Sequence, residues 1–367
     1  MSPQASEFAL GRALVDPAAT PGMDLATLSQ VVSQGRITRL LASLGAQMDD
    51  CGALSRLPHS ARRHFDSAEL VHTKQRSDLA YDCESIRAAM DAIGEKLVLL
   101  KGGAYIRGDL RPGRGRLITD IDIIVPREKI PQAEQALAAQ GWEQAKLDPY
   151  NESYYRRWSH ETPALVNPRR GTTLDLHHNI LPPTAGPDID ATLLFEQLQD
   201  IGDGIHALSD RDMLIHSATH LFHEGEFHHG LRDLWDIHQM LGEFPTRDSE
   251  FWQGLVPRAR ELQLEESVFH ALHYSERLFG TPIPAAVRGE GDKYRRRLRR
   301  PLMDFLFRRA FRPTHPDCAL PMTGAALNLL YIRSHYLRMP LYLLLPHLAR
   351  KAWMSRTAGK EESLDKA

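Results

Sequence analysis

Apolar positions between Leu25 and Gly94 recur every three or four residues, in LATLSQVVSQGRITRLLASLGAQM and again in YDCESIRAAMDAIG. That period predicts amphipathic helices. Leu57-Pro58-His59-Ser60 interrupts it with a proline-centred break and offers Ser60 as a new N-cap. The pattern changes at Lys96. Lys96-Leu-Val-Leu-Leu100 is a short apolar run between Gly94 and Gly102, which reads as a buried strand. Residues 101–107 then start a helix directly from that strand, and GDLRPGRGR (108–116) is a glycine- and arginine-rich loop. LITDIDIIV (117–125) is the strongest strand pattern in the chain, rich in β-branched residues and ended by Pro126. A helix is expected over 128–140, closed by Gly141, and another strand over 171–177, GTTLDLH.

Beyond Pro182 the pattern is helical again, with helices expected at 191–198, 210–223, 231–241 and 261–278. A basic segment at 293–300 precedes a last apolar and aromatic helical region reaching Trp353, and the polar tail GKEESLDKA is expected to be disordered. The expected organisation is an N-terminal helical region at 1–95, an α/β unit at 96–182, a helical region packing on it at 183–284, and a basic, apolar helical region at 285–367. The fold class expected is α+β, a small mixed sheet between helical flanks.

Composition narrows the picture little. Hydrophobic residues at 42% and charged residues at 25% over 367 positions are those of an ordinary globular protein. A net charge of −2 excludes a globally basic nucleic-acid binder, and nucleic acid is not an expected partner. Cys51, Cys83 and Cys318 are too scattered for a zinc knuckle or a disulfide framework and suit a reducing cytoplasm. The first twenty residues lack the basic start and apolar stretch of a secretory signal. No run approaches the roughly 18 apolar residues of a membrane span. A cytoplasmic location follows as the expectation.

The candidate chemistry lies in the strands. Alternate side chains of a strand share a face, so Asp120 and Asp122 are expected to project together while Ile121, Ile123 and Val125 enter the core. Adjacent carboxylates repel, and a divalent cation would hold them together. Oxygen donors of this hardness point to Mg²⁺ or Mn²⁺. Asp175 is the third candidate, with Thr173 and His177 on its face. The Gly102-Gly103 turn allows backbone N–H groups to approach phosphate oxygens, and Lys101 and Arg116 could add charge-assisted contacts. Taken alone, a D-x-D marks an exposed strand face as readily as a metal site, and Gly-Gly marks a turn. Their order gives them weight: apolar strand, Lys-Gly-Gly, helix, loop, D-x-D strand, then a strand with an aspartate.

LVLLKGGAYIRG, RLITDIDIIVP and TLDLHHNI together resemble the polymerase-β-type nucleotidyltransferase superfamily. More narrowly, they resemble a bacterial group called uncharacterised nucleotidyltransferases, which shows L-K-G, R-x-x-x-D-I-D and D-L-H. The resemblance implies Asp120 and Asp122 as the metal pair, Asp175 as the carboxylate completing the acceptor-side metal, and Gly102 and Gly103 as the seat of the triphosphate. Lys101, Arg116 and His177 match the narrower group at the nucleotide site. Sixteen residues separate Gly103 from Asp120, more than the common superfamily spacing, and the arginine-rich loop absorbs the excess. The implied reaction moves an NMP group from an NTP to a hydroxyl of a small molecule, sugar or protein, with release of pyrophosphate. The alternatives are a non-catalytic nucleotide-binding scaffold and a peripheral membrane or nucleic-acid adaptor.

Eighteen histidines raise a second question. His216 and His220 stand at i, i+4, a spacing that can chelate a metal. The reading preferred for 216–229 is a polar helix beside the cleft, with some histidines touching nucleotide or acceptor. His177 is expected to support Asp175, and Arg232 and Asp236 to pair along one helix. Trp142, Tyr154, Tyr155 and Trp158 are expected to fill core or loop rather than stack on a base. The basic run at 293–300, with Arg308, Arg309 and Arg312, reads as a solvated face; with the apolar stretch 331–353 it leaves peripheral contact with the inner membrane as an alternative.

Overall fold

A computed structural model describes residues 3–145, 157–223, 225–290 and 300–339. The N-terminal helices are α1 (Ala9–Val15), α2 (Leu25–Ile37), α3 (Leu41–Asp50) and α4 (His59–Asp91). Helix α4 starts directly after Pro58, and its 33 residues span about 50 Å. Its buried positions, Phe65, His72, Leu79, Cys83, Ile86 and Met90, follow the three-, four- and seven-residue spacing of a single face. The opposite face carries ion pairs at i, i+4, among them Arg87–Asp91 at 2.8 Å.

The mixed sheet begins with β1 (Leu97–Leu99), which runs into α5 (Lys101–Arg107). It continues with β2 (Ile121–Ile124), then α6 (Ile130–Ala139), β3 (Glu143–Gln144), β4 (Leu165–Asn167) and β5 (Thr172–His177). After the single turn α7 (Thr192–Phe195) come β6 (Gln199–Asp200) and β7 (Ile205–Ala207). The strand order is β3-β4-β5-β2-β1-β7-β6. Strand β2 lies antiparallel to β1 and parallel to β5, and its central place explains why all four of its residues are buried.

The sheet extends past the boundary that the sequence pattern suggests. Residues 199–207 form a hairpin whose β7 pairs in parallel with β1, Leu97 opposite Ile205 and Leu99 opposite Ala207. The 183–284 region is therefore not purely helical. Strands of two and three residues are too short to show a period, and the turn between them holds Gly202, Asp203 and Gly204, all with positive φ.

The remaining helices are α8 (Asp210–His223), α9 (Gly230–Arg247), α10 (Phe251–Glu261), α11 (Glu265–Phe279), α12 (Arg300–Ala310) and α13 (Thr323–Arg338). Buried apolar residues from Ala5 to Leu330 form one connected cluster. Trp142 is buried in it, whereas Trp158 is exposed. Tyr154, Tyr155, residues 293–299 and the segment from 340 onward lie outside the described residues. Arg308 and Arg312 both pair with Glu7, and Arg309 lies over the Phe305 ring and donates to the Pro321 carbonyl. Helix α13 exposes Leu329, Ile332 and Tyr336. Among the described residues no helix is long and apolar enough to cross a membrane.

The loop after α5 approaches α3 at Gly115, where φ is +69° and an added Cβ would lie 2.4 Å from the Ala42 carbonyl carbon and the Ser43 nitrogen. Strain at a left-handed position and backbone overlap act together here. Gly115→Ala should lose on the order of 2–3 kcal/mol in urea unfolding, and unchanged stability would show that the loop is not packed on α3 in this way.

Candidate active site

The end of β1 is tied to β2 at Asp122. The Leu100 N–H donates to the Asp122 carbonyl at 2.9 Å, and the Lys101 Nζ donates to the Asp122 Oδ1 at 2.7 Å. On the other side, the His177 Nε2 is 3.0 Å from the same oxygen. Burial alone would raise the Asp122 carboxyl, but the Lys101 ammonium and then His177 hold it far below the usual carboxylate range. Burial likewise opposes charge on Lys101, and Asp122, with Glu161 and Asp120 behind it, raises the amine above its ordinary value. Lys101 reaches this position from a backbone φ of +45°, a left-handed conformation that costs a non-glycine residue about 1–3 kcal/mol.

Asp120 lies in a bend just before β2 and is half-buried, so the two aspartates come from a bend and a strand rather than from one regular strand. Asp175 stands directly opposite Asp122 in the parallel register of β5 and β2. Burial, followed by the carboxylates of Asp122, Glu161 and Asp120, pushes Asp175 up to about 7. The imidazole of His177 leans across to Asp122 on the neighbouring strand rather than back to Asp175, which corrects the expected pairing.

Glu161 is a site neighbour that the sequence pattern does not single out. It forms an isolated bridge with His177, and its Oε2 is 3.6 Å from the His177 Nε2. Its surroundings, Trp158 to Pro163, carry neither period nor motif, so no sequence signal marks it.

Arg116 has a different setting from the phosphate contact expected of it. Its Nε donates to Asp236 on α9 at 2.7 Å, its Nη2 is 3.5 Å from Asp233, and both members of the Arg116–Asp236 pair are buried. The expected Arg232–Asp236 pair is absent among the described contacts. Arg232 instead donates to Asp233, because the buried guanidinium of Arg116 takes Asp236. Burial, and then the Asp233 carboxylate, push the Asp236 carboxyl up despite Arg116. The loop is also held from α4: His72 Nδ1 donates to the Arg116 carbonyl at 3.1 Å, and Gln75 makes paired bonds to the backbone of Ile118 at 2.9 and 3.0 Å.

Over these groups opens a cleft of about 480 Å³. Lys101, Gly102, Arg116, Asp120 and Asp122 line it; Gly103, Asp175 and His177 do not. Gly102 has no room for a side chain, since a Cβ there would lie 2.7 Å from Ile118 Cγ2. Gly103 points inward, towards Leu99 and Leu79. The facing wall comes from α8, α9 and the segment between them, with His220, His228, His229 and Arg232. His229 is pulled down to about 4 by burial and then by Arg232 and Arg39, while Glu226, Asp233 and Asp236 bring negative charge to the same wall. His216 is buried and held well below the usual imidazole range, first by burial and then by Lys101. His223 turns away to the Thr219 carbonyl. Among the described residues, His216 and His220 belong to no group of three metal-type ligand atoms.

The α+β fold thus sets an acidic bend and a lysine-glycine turn against a wall of mixed charge. The family described as uncharacterised nucleotidyltransferase matches residues 26–280, and the chain belongs to that family. The matched span runs from α2 to the end of α11, so it takes in the helical walls of the cleft as well as the strands. Comparisons with curated proteins and with solved structures give no match.

Two outcomes follow from this geometry. Arg116→Met would strand a buried carboxylate and should cost about 3–5 kcal/mol in urea unfolding, much of it recovered in Arg116→Met/Asp236→Leu; a neutral single variant would show that the pair does not anchor the loop. Asp175 gives a pH dependence. Its pKa in the folded protein is above the unfolded value, so its contribution to stability is complete below the ordinary carboxylate range and is lost as pH rises through about 7. In thermal melts of metal-free protein, wild type should lose more stability between about pH 5 and 8 than Asp175→Asn does. Identical slopes would remove Asp175 as the titrating group.

Proposed function

We propose that the protein transfers a nucleoside monophosphate from an NTP to a hydroxyl acceptor, with Mg²⁺ or Mn²⁺, and releases pyrophosphate. The observation that carries this reading is the cleft in which Asp120 and Asp122 meet the Lys101-Gly102 turn, opposite a wall that carries Arg232 and three histidines beside Glu226, Asp233 and Asp236. The residues fit divalent cations. Asp120, Asp122, Asp175 and Glu161 place more carboxylates together than Lys101 can balance, and the elevation of Asp175 to about 7 registers that excess. Hard oxygen donors in a partly open cleft suit Mg²⁺ or Mn²⁺.

Asp120 and Asp122 would hold the cations, with Asp175 completing the acceptor side. When bound, the cations supply charge neutralisation of the triphosphate and a lowered pKa for the acceptor hydroxyl. Lys101 would bind phosphate oxygens, and Gly102 keeps the floor open for them. Arg232 and the histidines of the facing wall would orient the triphosphate. The acceptor hydroxyl, its pKa lowered by the cation that Asp175 would help to hold, would give its proton to solvent. In the transfer the acceptor oxygen forms a bond to the α-phosphorus, the bond between the α-phosphorus and the bridging oxygen breaks, and pyrophosphate leaves. The acceptor class is a small molecule, sugar or protein bearing a hydroxyl.

The test is an NTP screen with radiolabelled α-phosphate against a cell lysate, with purified Asp120→Asn alongside. Label should pass to an acceptor with wild type and fall at least about 1000-fold with Asp120→Asn, at unchanged thermal stability, since Asp120 is half-buried and among the described residues its side chain accepts a hydrogen bond from Thr119 alone. Asp122→Asn should also lose activity, and in addition lose stability, because the half-buried Lys101 would lack its counter-ion. Retained turnover in purified Asp120→Asn would sink the mechanism. Nucleotide binding without pyrophosphate release would favour a scaffold.

A further inference from the structure

Beside the cleft, but outside its wall, lies a second group with ligand character. One ligand atom from each of His160, Glu161 and His177 comes within 4.8 Å of the other two. The backbone fixes this arrangement. The His160 carbonyl accepts from the His178 N–H at 2.9 Å, the Thr162 N–H donates to the Leu176 carbonyl at 2.9 Å, and Glu161 bridges His177. The two imidazole rings are tilted by 47° with centroids 5.4 Å apart.

Neither ring is satisfied. Nδ1 of His160 and Nδ1 of His177 are both buried without a hydrogen-bond partner, and His177 is 1% exposed. Buried polar atoms of this kind call for an explanation, a bound ion being one. On His177 the other nitrogen, Nε2, faces the ionised Asp122 at 3.0 Å and must donate to it. Glu161 also lies 3.6 Å from that Nε2, so the His177 ring links the Asp122 carboxylate to this group.

We propose that His160, Glu161 and His177 form a site for one Zn²⁺-like divalent ion, separate from the all-oxygen set at Asp120 and Asp122. Two imidazoles and a carboxylate, with a fourth position left for water, are a donor set of zinc sites, and nitrogen donors favour Zn²⁺ over Mg²⁺. Ligand atoms around tetrahedral zinc are about 3.3 Å apart. Glu161, with 27% of its side chain exposed, has the freedom to close the remaining gap. This inference goes beyond nucleotidyl transfer and does not require it, since none of the three side chains lines the cleft.

Cobalt(II) is the probe. Full-length protein stripped with a chelator and titrated with Co²⁺ in excess Mg²⁺ should take up one equivalent with visible d–d absorption. Glu161→Gln and His160→Ala should each weaken that binding by at least about tenfold, with circular dichroism showing the fold intact. Asp120→Asn should keep the band while losing transfer, so failure of this site and failure of the proposed reaction are told apart. If His160→Ala does not fold, Glu161→Gln, on a partly exposed side chain, decides alone. Absence of the band in wild type overturns the proposal, as does a band unchanged in the Glu161 variant. A band lost in Asp120→Asn alone assigns the metal to the cleft and overturns it too.

Discussion

The buried charge of Asp122 is the constraint around which the centre of the molecule is arranged. An ionised carboxylate away from water is costly unless it is paired and hydrogen-bonded. Here the pairing comes from two elements that flank β2 on opposite sides: Lys101 at the end of β1 and His177 at the end of β5. The Leu100–Asp122 backbone bond fixes the same junction. Reaching it demands a left-handed lysine, and the turn that follows demands a glycine at 102 because Ile118 lies against it. Strand order, turn conformation and residue identity are thus tied to one carboxylate.

The helical flanks are part of the site. The loop leading into Asp120 is held from outside by His72 and Gln75 on α4 and by Asp236 on α9. Helices α8 and α9 also supply the wall of mixed charge opposite the aspartates. That the family match spans 26–280 agrees with this dependence, since strands 96–182 without their flanks would leave Arg116 unpaired and the cleft with one wall.

What the sequence reveals follows from the range of the interaction. The amphipathic face of α4, the β1–α5 junction and the buried strands β2 and β5 are local patterns, and they read directly. The hairpin at 199–207 is too short to show a period and owes its strand character to pairing with β1. Glu161 belongs to no motif and reaches the site through a single bridge to His177. The partner choices were also hidden. Arg232 and Asp236 have ideal helical spacing, yet Arg116, 120 positions away in sequence from Asp236, takes the aspartate because burial makes that pairing worth more than an exposed i, i+4 contact.

Charge balance links the two halves of the centre. Lys101 pairs directly with Asp122, while Asp175, buried and beside the carboxylates of Asp122, Glu161 and Asp120, holds its proton up to about 7. A centre of this kind is poised between two ways of becoming neutral, taking up a proton or taking up a positive ion. Below about 7 the proton suffices; above it the carboxylates repel and any cation is favoured. Which cation depends on the donors it meets: oxygen atoms alone at Asp120 and Asp122, and oxygen with two imidazoles at Glu161. The bond from His177 to Asp122 joins these neighbourhoods, so a charge arriving at one is felt at the other through a contact of 3.0 Å.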